Sequence, residues 1–374
     1  MTQLPKSAGD PIALVGPVSP FRGGIAHYTT CLASAFAPRS VRILSFRRLY
    51  PAWLYPGASD REAGAAAMPG VDYMLDALSP WSWFRAAHHL RAQGNRAVVL
   101  TWWTAFWAPA FALIAMLLRR RGVPCYFLCH NLSDHGARGL KERAMRRLLA
   151  TANGYIVHSR EHAAQLRSLF PHKPVLQRLH PVYDQFPAPA STLPRRGRLE
   201  LLFFGFIRPY KGLDVLLQAL RTLDDPGIHL SIVGEPWGDA DALRAQVEAI
   251  SPNIECRFEY TDQVSAAAYF ARADVVVLPY LSATGSGVAA LAYHYGKPIL
   301  ATRVGGLKDV VLEEKTGWLV EPADANALAS AIRSLSMERA IDMRGSIADF
   351  CEQNSWEAMA SHIQTFINAQ DSRP

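Results

Sequence analysis

Short aliphatic runs alternate along this chain with stretches whose apolar residues return every three or four positions. That is the pattern of buried parallel strands separated by amphipathic helices. In the first half the runs Ile12–Val15, 41–46, 97–100, 123–128 and 155–158 read as strands. In the second half the runs 201–205, Ile228–Val233, 254–260, Val275–Leu278 and Ile299–Thr302 do so. Ile25, Tyr28, Leu32 and Phe36 share one helical face, as do Leu213, Leu216 and Leu220, and as do Val288, Leu291, Ala292 and Tyr295. Further helices are predicted over 140–151, 161–170, 239–250 and 356–369. The stretch 186–198, FPAPASTLPRRGR, holds three prolines and no apolar period, and reads as a boundary. The predicted fold class is α/β, with two doubly wound, Rossmann-like domains, 1–186 and 199–354, facing across a cleft.

In parallel sheets of this kind, ligands bind at the carboxyl ends of strands, so the residues placed there matter most. The strand ending at Pro279 leads through a loop into Gly285-Ser286-Gly287-Val288, where a helix begins. Backbone N–H groups at a helix N-terminus, uncrowded by Cβ atoms, attract anions, phosphate above all. A packing role for the two glycines explains a lone GxG equally well. Gly23 and Gly24 sit between the first strand and the first helix and are candidate donor-phosphate contacts; the loop is not the GxGxxG dinucleotide fingerprint. Arg208 and Lys211 follow the strand 201–205, Glu235 follows Ile228–Val233, and His130 follows 123–128. His27 reads as a surface residue, and Asp134 and His135 are weaker candidates in the next loop.

Composition narrows the picture. With 374 residues and half of them apolar, the chain is long enough for two cores. Five scattered cysteines show neither a disulfide framework nor zinc spacing, which favours a reducing cytoplasm; no metal cluster appears. The start, MTQLPKSAGD, lacks the apolar segment of a cleaved leader. Charge is split. Residues 1–198 hold 25 lysines and arginines against 9 carboxylates, a balance of +16, whereas residues 199–374 hold 14 against 23, a balance of −9. No nucleic-acid motif accompanies the basic half, so nucleic acid is not an expected partner. An anionic membrane surface is one alternative and solvated arginines are the other. The run 105–118 is apolar throughout and closed by three arginines, too short to span a bilayer, which needs about 20 residues. It reads either as a buried helix or as an interfacial one. The basic amphipathic stretch 140–151 has the same two readings.

A resemblance adds to this. Pro279, the GSGV loop, Gly296-Lys297-Pro298-Ile299, Ala301-Thr302, Val304-Gly305-Gly306 and Thr316-Gly317-Trp318-Leu319-Val320 resemble the donor region of retaining glycosyltransferases of the GT-B fold, the bacterial "group 1" type (family four). The similarity extends over nearly the whole chain. It implies a metal-independent glycosyltransferase, hexosyltransferase-like, that moves a sugar from a nucleotide-diphosphate sugar to an acceptor hydroxyl with retention. A leaving-phosphate oxygen would take the acceptor proton, and no cofactor is expected. It further implies that Gly23 and Gly24 approach the donor, that Lys211 and Arg208 hold its diphosphate, that His130 lies near the reacting sugar, and that a final helix in 355–374 crosses back to the first domain. The first domain, with its long loop 47–70, would bind a glycan or lipid-linked acceptor. That places the protein in bacterial glycan or glycolipid synthesis, cytoplasmic and peripheral on the inner face of the membrane. One departure stands out: the family's two glutamates, seven residues apart, are Ala283 or Thr284 and Leu291 or Ala292 here. Glu235 is the carboxylate placed to take over a sugar or ribose contact. Because the glutamates are missing, a catalytically silent sugar-nucleotide-binding protein is the main alternative, and a GT-B epimerase or sugar-phosphate synthase the next.

Overall fold

The computed structural model describes residues 11–36, 41–51, 53, 60–62, 64–132, 140–183, 186–237, 240–248, 250, 253–283 and 285–371. They form two compact units: residues 1–178 with 356–374, and residues 179–355.

Unit 1 is built on seven strands: β1 (Ile12–Val15), β2 (Val41–Arg48), β3 (Val71–Asp76), β4 (Ala97–Trp102), β5 (Cys125–Cys129), β6 (Gly154–Val157) and β7 (Val175–Gln177). They lie in the order β3-β2-β1-β4-β5-β6-β7, and every pairing is parallel. Strand order reverses between β1 and β4, which makes the carboxyl ends of these two strands the switch point of the sheet. The connecting helices are α1 (Gly24–Ala35), α2 (Pro80–Ala92), α3 (Ala108–Arg119), α4 (Leu140–Leu149) and α5 (Arg160–Leu169).

Sequence periodicity predicts neither β3 nor α2. It also starts β5 two residues early. Pro124 has no N–H to give a ladder and only its carbonyl is used, accepting from Val98, so pairing begins at Cys125. The apolar run 105–118 is a short 3₁₀ turn, Ala105–Trp107, followed by α3. Ala110, Phe111, Ile114, Ala115 and Leu118 of α3 are buried in the unit 1 core, while Met116 stays 39 % exposed. Burial of side chains as large as Phe111, Ile114 and Leu118 stabilises by about 1.5–3 kcal/mol each, enough to fix one face of α3 as core. The loop after β2 folds back on the loop after β1: Arg22 N–H donates to the Asp60 carbonyl, and Glu62 N–H to that of Pro20.

Unit 2 carries β8 (Leu199–Phe204), β9 (Ile228–Val233), β10 (Ile254–Arg257), β11 (Val275–Leu278), β12 (Ile299–Thr302) and β13 (Gly317–Val320). Their order is β10-β9-β8-β11-β12-β13, again all parallel, and the switch point lies between β8 and β11. The helices are α6 (Leu213–Leu223), α7 (Ala240–Glu248), α8 (Gln263–Arg272), α9 (Gly287–His294), α10 (Leu307–Val310), α11 (Ala325–Arg333), α12 (Met337–Asp342) and α13 (Arg344–Gln353). Both units are Rossmann-like α/β layers.

The division between units falls at Arg178/Leu179, ahead of the proline-rich stretch 186–198. Leu179, Phe186 and Leu193 pack against the unit 2 core, and His294 and the Tyr295 hydroxyl hold the carbonyls of Phe186 and Pro187. Apolar anchors thus draw a proline-rich segment into the second core. The last helix, α14 (Trp356–Asp371), belongs to unit 1, where it packs on α1 and sets Trp356 4.9 Å from the Tyr28 ring.

At the amino ends of β8, β9 and β10 lies a polar network that the carboxyl-end chemistry does not use. His229 Nδ1 and Glu200 Oε2 are 2.7 Å apart, both side chains 1 % exposed. Arg272, 2 % exposed, reaches Glu255 at 2.5 Å and Glu200 at 3.7 Å. Charge balance comes from Arg272, so His229 is held neutral, its pKa lowered by burial against the opposing pull of Glu200.

Candidate active site

In unit 2 the two loops at the switch point bring the predicted phosphate residues together. After β8 the chain turns at Gly205, with φ +87°, then enters a 3₁₀ turn, Pro209–Lys211, that ends at Gly212 with φ +66°. The loop after β11 is bound to it: Leu281 N–H donates to the Tyr210 carbonyl at 2.7 Å. A Cβ on Gly205 would lie 3.2 Å from Lys211 Nζ and 3.4 Å from Val288 Cγ2, so Lys211 and the start of α9 border the same glycine. Lys211 is only 7 % exposed, and its ammonium stands 5.6 Å from the centre of the Tyr280 ring. Burial, and then the positive charge of Arg208, lower its pKa to about 8. A buried cation with depressed pKa at a strand's carboxyl end is prepared for an anion that will raise it again.

α9 begins at this place. Ser286 is its N-cap, accepting from Ala289 N–H at 3.3 Å. By helix geometry the first N–H groups of α9 have no partner inside the helix. Among the described residues a Cβ on Gly285 would meet nothing within 4 Å, and one on Gly287 only the Tyr183 ring at 3.5 Å, an ordinary contact. Among the described residues neither glycine is required by positive φ or by packing. What the two glycines leave is open space against a helix N-terminus, which suits an anion.

Arg208 lies 4.2 Å over the Trp237 ring, and both line a groove of about 410 Å³ with Asp214 and Leu281. Glu235 is exposed, on a loop whose backbone is fixed by Ile207 N–H to the Glu235 carbonyl and Trp237 N–H to the Ile207 carbonyl, each 2.9 Å. Leu291 and Ala292, which stand where the resemblance puts a glutamate, are buried in the core; Thr284 lies outside the described residues.

In unit 1, Gly23 caps α1 with φ +105°, a conformation that itself calls for glycine. Gly24 has no such need, and among the described residues a Cβ there would also meet nothing within 4 Å. His130 follows β5 directly, its N–H donating to the Trp102 carbonyl at 2.9 Å, so it extends from the carboxyl edge of the sheet. Its ring meets Tyr28 of α1 edge-on at 4.6 Å, and His158, just past β6, at 5.6 Å. His27 is partly buried on α1, its Nε2 3.9 Å from Cys31 Sγ. Asp134 and His135 lie outside the described residues.

Sequence reasoning missed three residues here: Tyr280 under Lys211, Trp237 under Arg208, and His158 beside His130. Each follows a parallel strand within a few positions, which is the signal that would have found them.

The sequence profile described as "Glycosyl transferases group 1" matches residues 198–338. The GDP-mannose:glycolipid 4-beta-D-mannosyltransferase of Xanthomonas campestris pv. campestris is 32 % identical over 269 residues, covering 69 % of this chain and 72 % of that protein. This chain belongs to the group 1 glycosyltransferases. It is an enzyme of that family, with two Rossmann-like units as the fold. A D-inositol 3-phosphate glycosyltransferase of Pseudarthrobacter chlorophenolicus is 34 % identical over 173 residues, 44 % of this chain and 41 % of that protein. Two solved GT-B structures show the same fold at low identity. A sucrose-phosphate synthase from Thermosynechococcus elongatus has a TM-score of 0.66 at 21 % identity, over 96 % of this chain and 99 % of the other. The Anabaena protein HepE in complex with UDP has a TM-score of 0.70 at 15 % identity, over 96 % and 100 %. Among the described residues no helix of this group 1 glycosyltransferase is long and apolar enough to cross a membrane.

Proposed function

We propose that this glycosyltransferase takes a sugar from a nucleotide-diphosphate donor and attaches it to a hydroxyl of a lipid-linked glycan, in bacterial glycan or glycolipid synthesis. The observation that carries the donor reading is the buried Lys211 ammonium beside Gly205, next to the open N-terminus of α9. Two sources of positive potential, a side-chain cation and a helix end, suit a diphosphate whose charge grows as it leaves. Lys211 and Arg208 hold that diphosphate, Gly285, Ser286, Gly287 and Val288 present backbone N–H groups to it, and Glu235 takes a sugar or ribose hydroxyl. Gly23 and Gly24 are further candidate donor contacts. His130 acts on the transferred sugar. These cations do the charge work with no metal assigned to the step, and no cofactor is assigned. The lipid-linked acceptor rests on the word glycolipid in the name of the Xanthomonas relative.

Stereochemistry is where two lines of support differ. The resemblance to family four favours retention, with the leaving phosphate taking the acceptor proton. The relative's name specifies a β-linked product, and forming one from an α-linked donor is inversion, which needs a base such as His130 on the acceptor. We assign retention. A one-bond C1–H1 coupling of the product that reports the anomer opposite to the donor's overturns it.

The test of the function is a thermal-shift screen of nucleotide sugars, followed by detection of free nucleoside diphosphate when acceptor glycolipid is added. Stabilisation by one nucleotide sugar with diphosphate release supports the reading. Stabilisation without release in any acceptor mixture would make the protein a silent binder, and diphosphate release that requires a sugar phosphate as acceptor, or formation of an epimerised sugar, would move it to the other GT-B chemistries.

A further inference from the structure

The outward side of α2 departs from what a solvated helix presents. Trp81, Phe84, Arg85 and His88, spaced three and four residues apart, share the side opposite the buried Ala86, Ala87 and Leu90. Trp81 is 71 % exposed and Phe84 45 %, with ring centroids 6.3 Å apart, so two large aromatic rings stand together in solvent. They border a groove of about 790 Å³ between α2 and the end of α3, which Arg91, Leu117 and Arg121 also line. Leu78, three residues before Trp81, and Met116, next to Leu117, are also exposed, at 55 % and 39 %. Patches of this kind on a single chain mark a place of interaction.

Charge identifies the partner. Between Asp76 and Asp134 the sequence contains no carboxylate at all, while it contains Arg85, Arg91, Arg96 and the three arginines 119–121. The carboxylates of β3 are engaged, Asp72 with His89 at 2.8 Å and Asp76 with Arg48 at 3.6 Å. A protein interface ordinarily meets its partner with both signs of charge. Exposed aromatic rings with arginines beside them, and with the nearby Asp72 already engaged by His89, match a surface with an apolar interior, a boundary where indole rings reside, and phosphates.

We propose that the outward face of α2, with the arginine-rich end of α3, is the docking surface of this enzyme for an anionic lipid bilayer. Trp81 and Phe84 enter the headgroup layer, and Arg85, Arg91 and the arginines 119–121 pair with lipid phosphates. This deepens the reading of a lipid-linked acceptor and rests on it for its biological sense, but not for its physics. The buried face of α3 is core, so the contact is made by α2 and by the exposed end of α3.

The experiment is co-sedimentation of the full chain with phosphatidylglycerol or phosphatidylcholine vesicles at low and high salt, for wild type, Trp81→Ser/Phe84→Ser and Arg85→Gln/Arg91→Gln. Donor-induced thermal shift is measured on each as a control of folding and of the donor site. Expected are binding of wild type to phosphatidylglycerol only, weakened by salt within a screening length of about 8–10 Å, and a loss of tenfold or more in both variants with the donor shift unchanged. Absence of wild-type binding overturns the proposal, and so does wild-type binding that both variants retain, which would place the contact elsewhere. Variants that bind vesicles normally but lose turnover on detergent-solubilised acceptor overturn it too, because the groove would then hold acceptor. A missing donor shift in wild type would instead count against the proposed function and leave the vesicle result to stand alone.

Discussion

Gly212 and Pro279 come so close that a Cβ on the glycine would overlap the proline carbonyl oxygen, and Gly212 holds φ +66° at the end of the turn carrying Lys211. The loops after β8 and β11 are therefore locked together at a residue that admits no side chain. Gly212→Ala should cost at least about 2 kcal/mol, from left-handed strain and the overlap together. Displacement of Lys211 should lower kcat by about 10²-fold. Urea unfolding and steady-state rates check this, and wild-type values for both would mean that the loops are not coupled.

Lys211 should make donor binding depend on pH. Its pKa in the free protein is about 8 and an anionic donor raises it, so affinity is full below about 8 and falls as pH rises through that value. Calorimetric titration of the donor between pH 6.5 and 9.5 should show the decline, and Lys211→Met should bind weakly and without it. Lys211→Ala should lose turnover by a factor of order hundreds; a loss within about twofold would remove the residue from the mechanism.

His130 should matter to turnover and not to donor affinity, because a bond to the transferred sugar or to developing charge counts mainly in the transition state. In His130→Ala, kcat should fall at least about 10²-fold with the donor Kd within about twofold of wild type. Unchanged kcat would make the residue a structural member of the Tyr28 and His158 ring cluster, and Glu235 would be tested next.

The His229 network should govern acid stability. With its folded pKa lowered, His229 binds fewer protons folded than unfolded, so its contribution is fully present above the usual histidine value of about 6.5 and is lost as pH falls through the lowered folded value. Glu255, also lowered, adds a loss of the same sign further into acid. Melting temperature should fall from about pH 6.5 downward, and His229→Gln should flatten the upper part of that fall. A variant with the wild-type slope would exclude His229 as its source.

Leu291→Glu tests whether the missing glutamate is compatible with this fold. Leu291 is 5 % exposed in the unit 2 core, so an unpaired carboxylate there should cost about 3–5 kcal/mol, on the scale of a broken buried ion pair. Stability equal to wild type with improved donor affinity would show that the position faces the ligand after all.

Much of the fold was legible because parallel strands buried on both sides announce themselves as aliphatic runs, and Val275–Leu278 or Ile228–Val233 admit little else. The positions of Lys211, the GSG loop and His130 past the carboxyl ends of strands were legible for a related reason: each lies on the stretch that follows such a run. α2 was not, since Trp81 and Phe84 face outward and blur the amphipathic period. Tyr280 and Trp237 were not, because their roles depend on which loops become neighbours. That is set by the strand order β9-β8-β11, which sequence order does not contain. The proline-rich 186–198 lies within the second unit and not at its edge, because Phe186 and Leu193 anchor it to that core.

The chain leaves unit 1 after Arg178 and returns to it only at Trp356, whose ring packs on Tyr28. During synthesis, all seven strands of the first unit emerge before the helix that finishes its surface has been made. At translation speeds of about 5–20 residues per second that interval lasts roughly 10–35 s. The unit that is begun first is therefore completed last, and until then the flank of α1 that receives Trp356 has no helix to cover it.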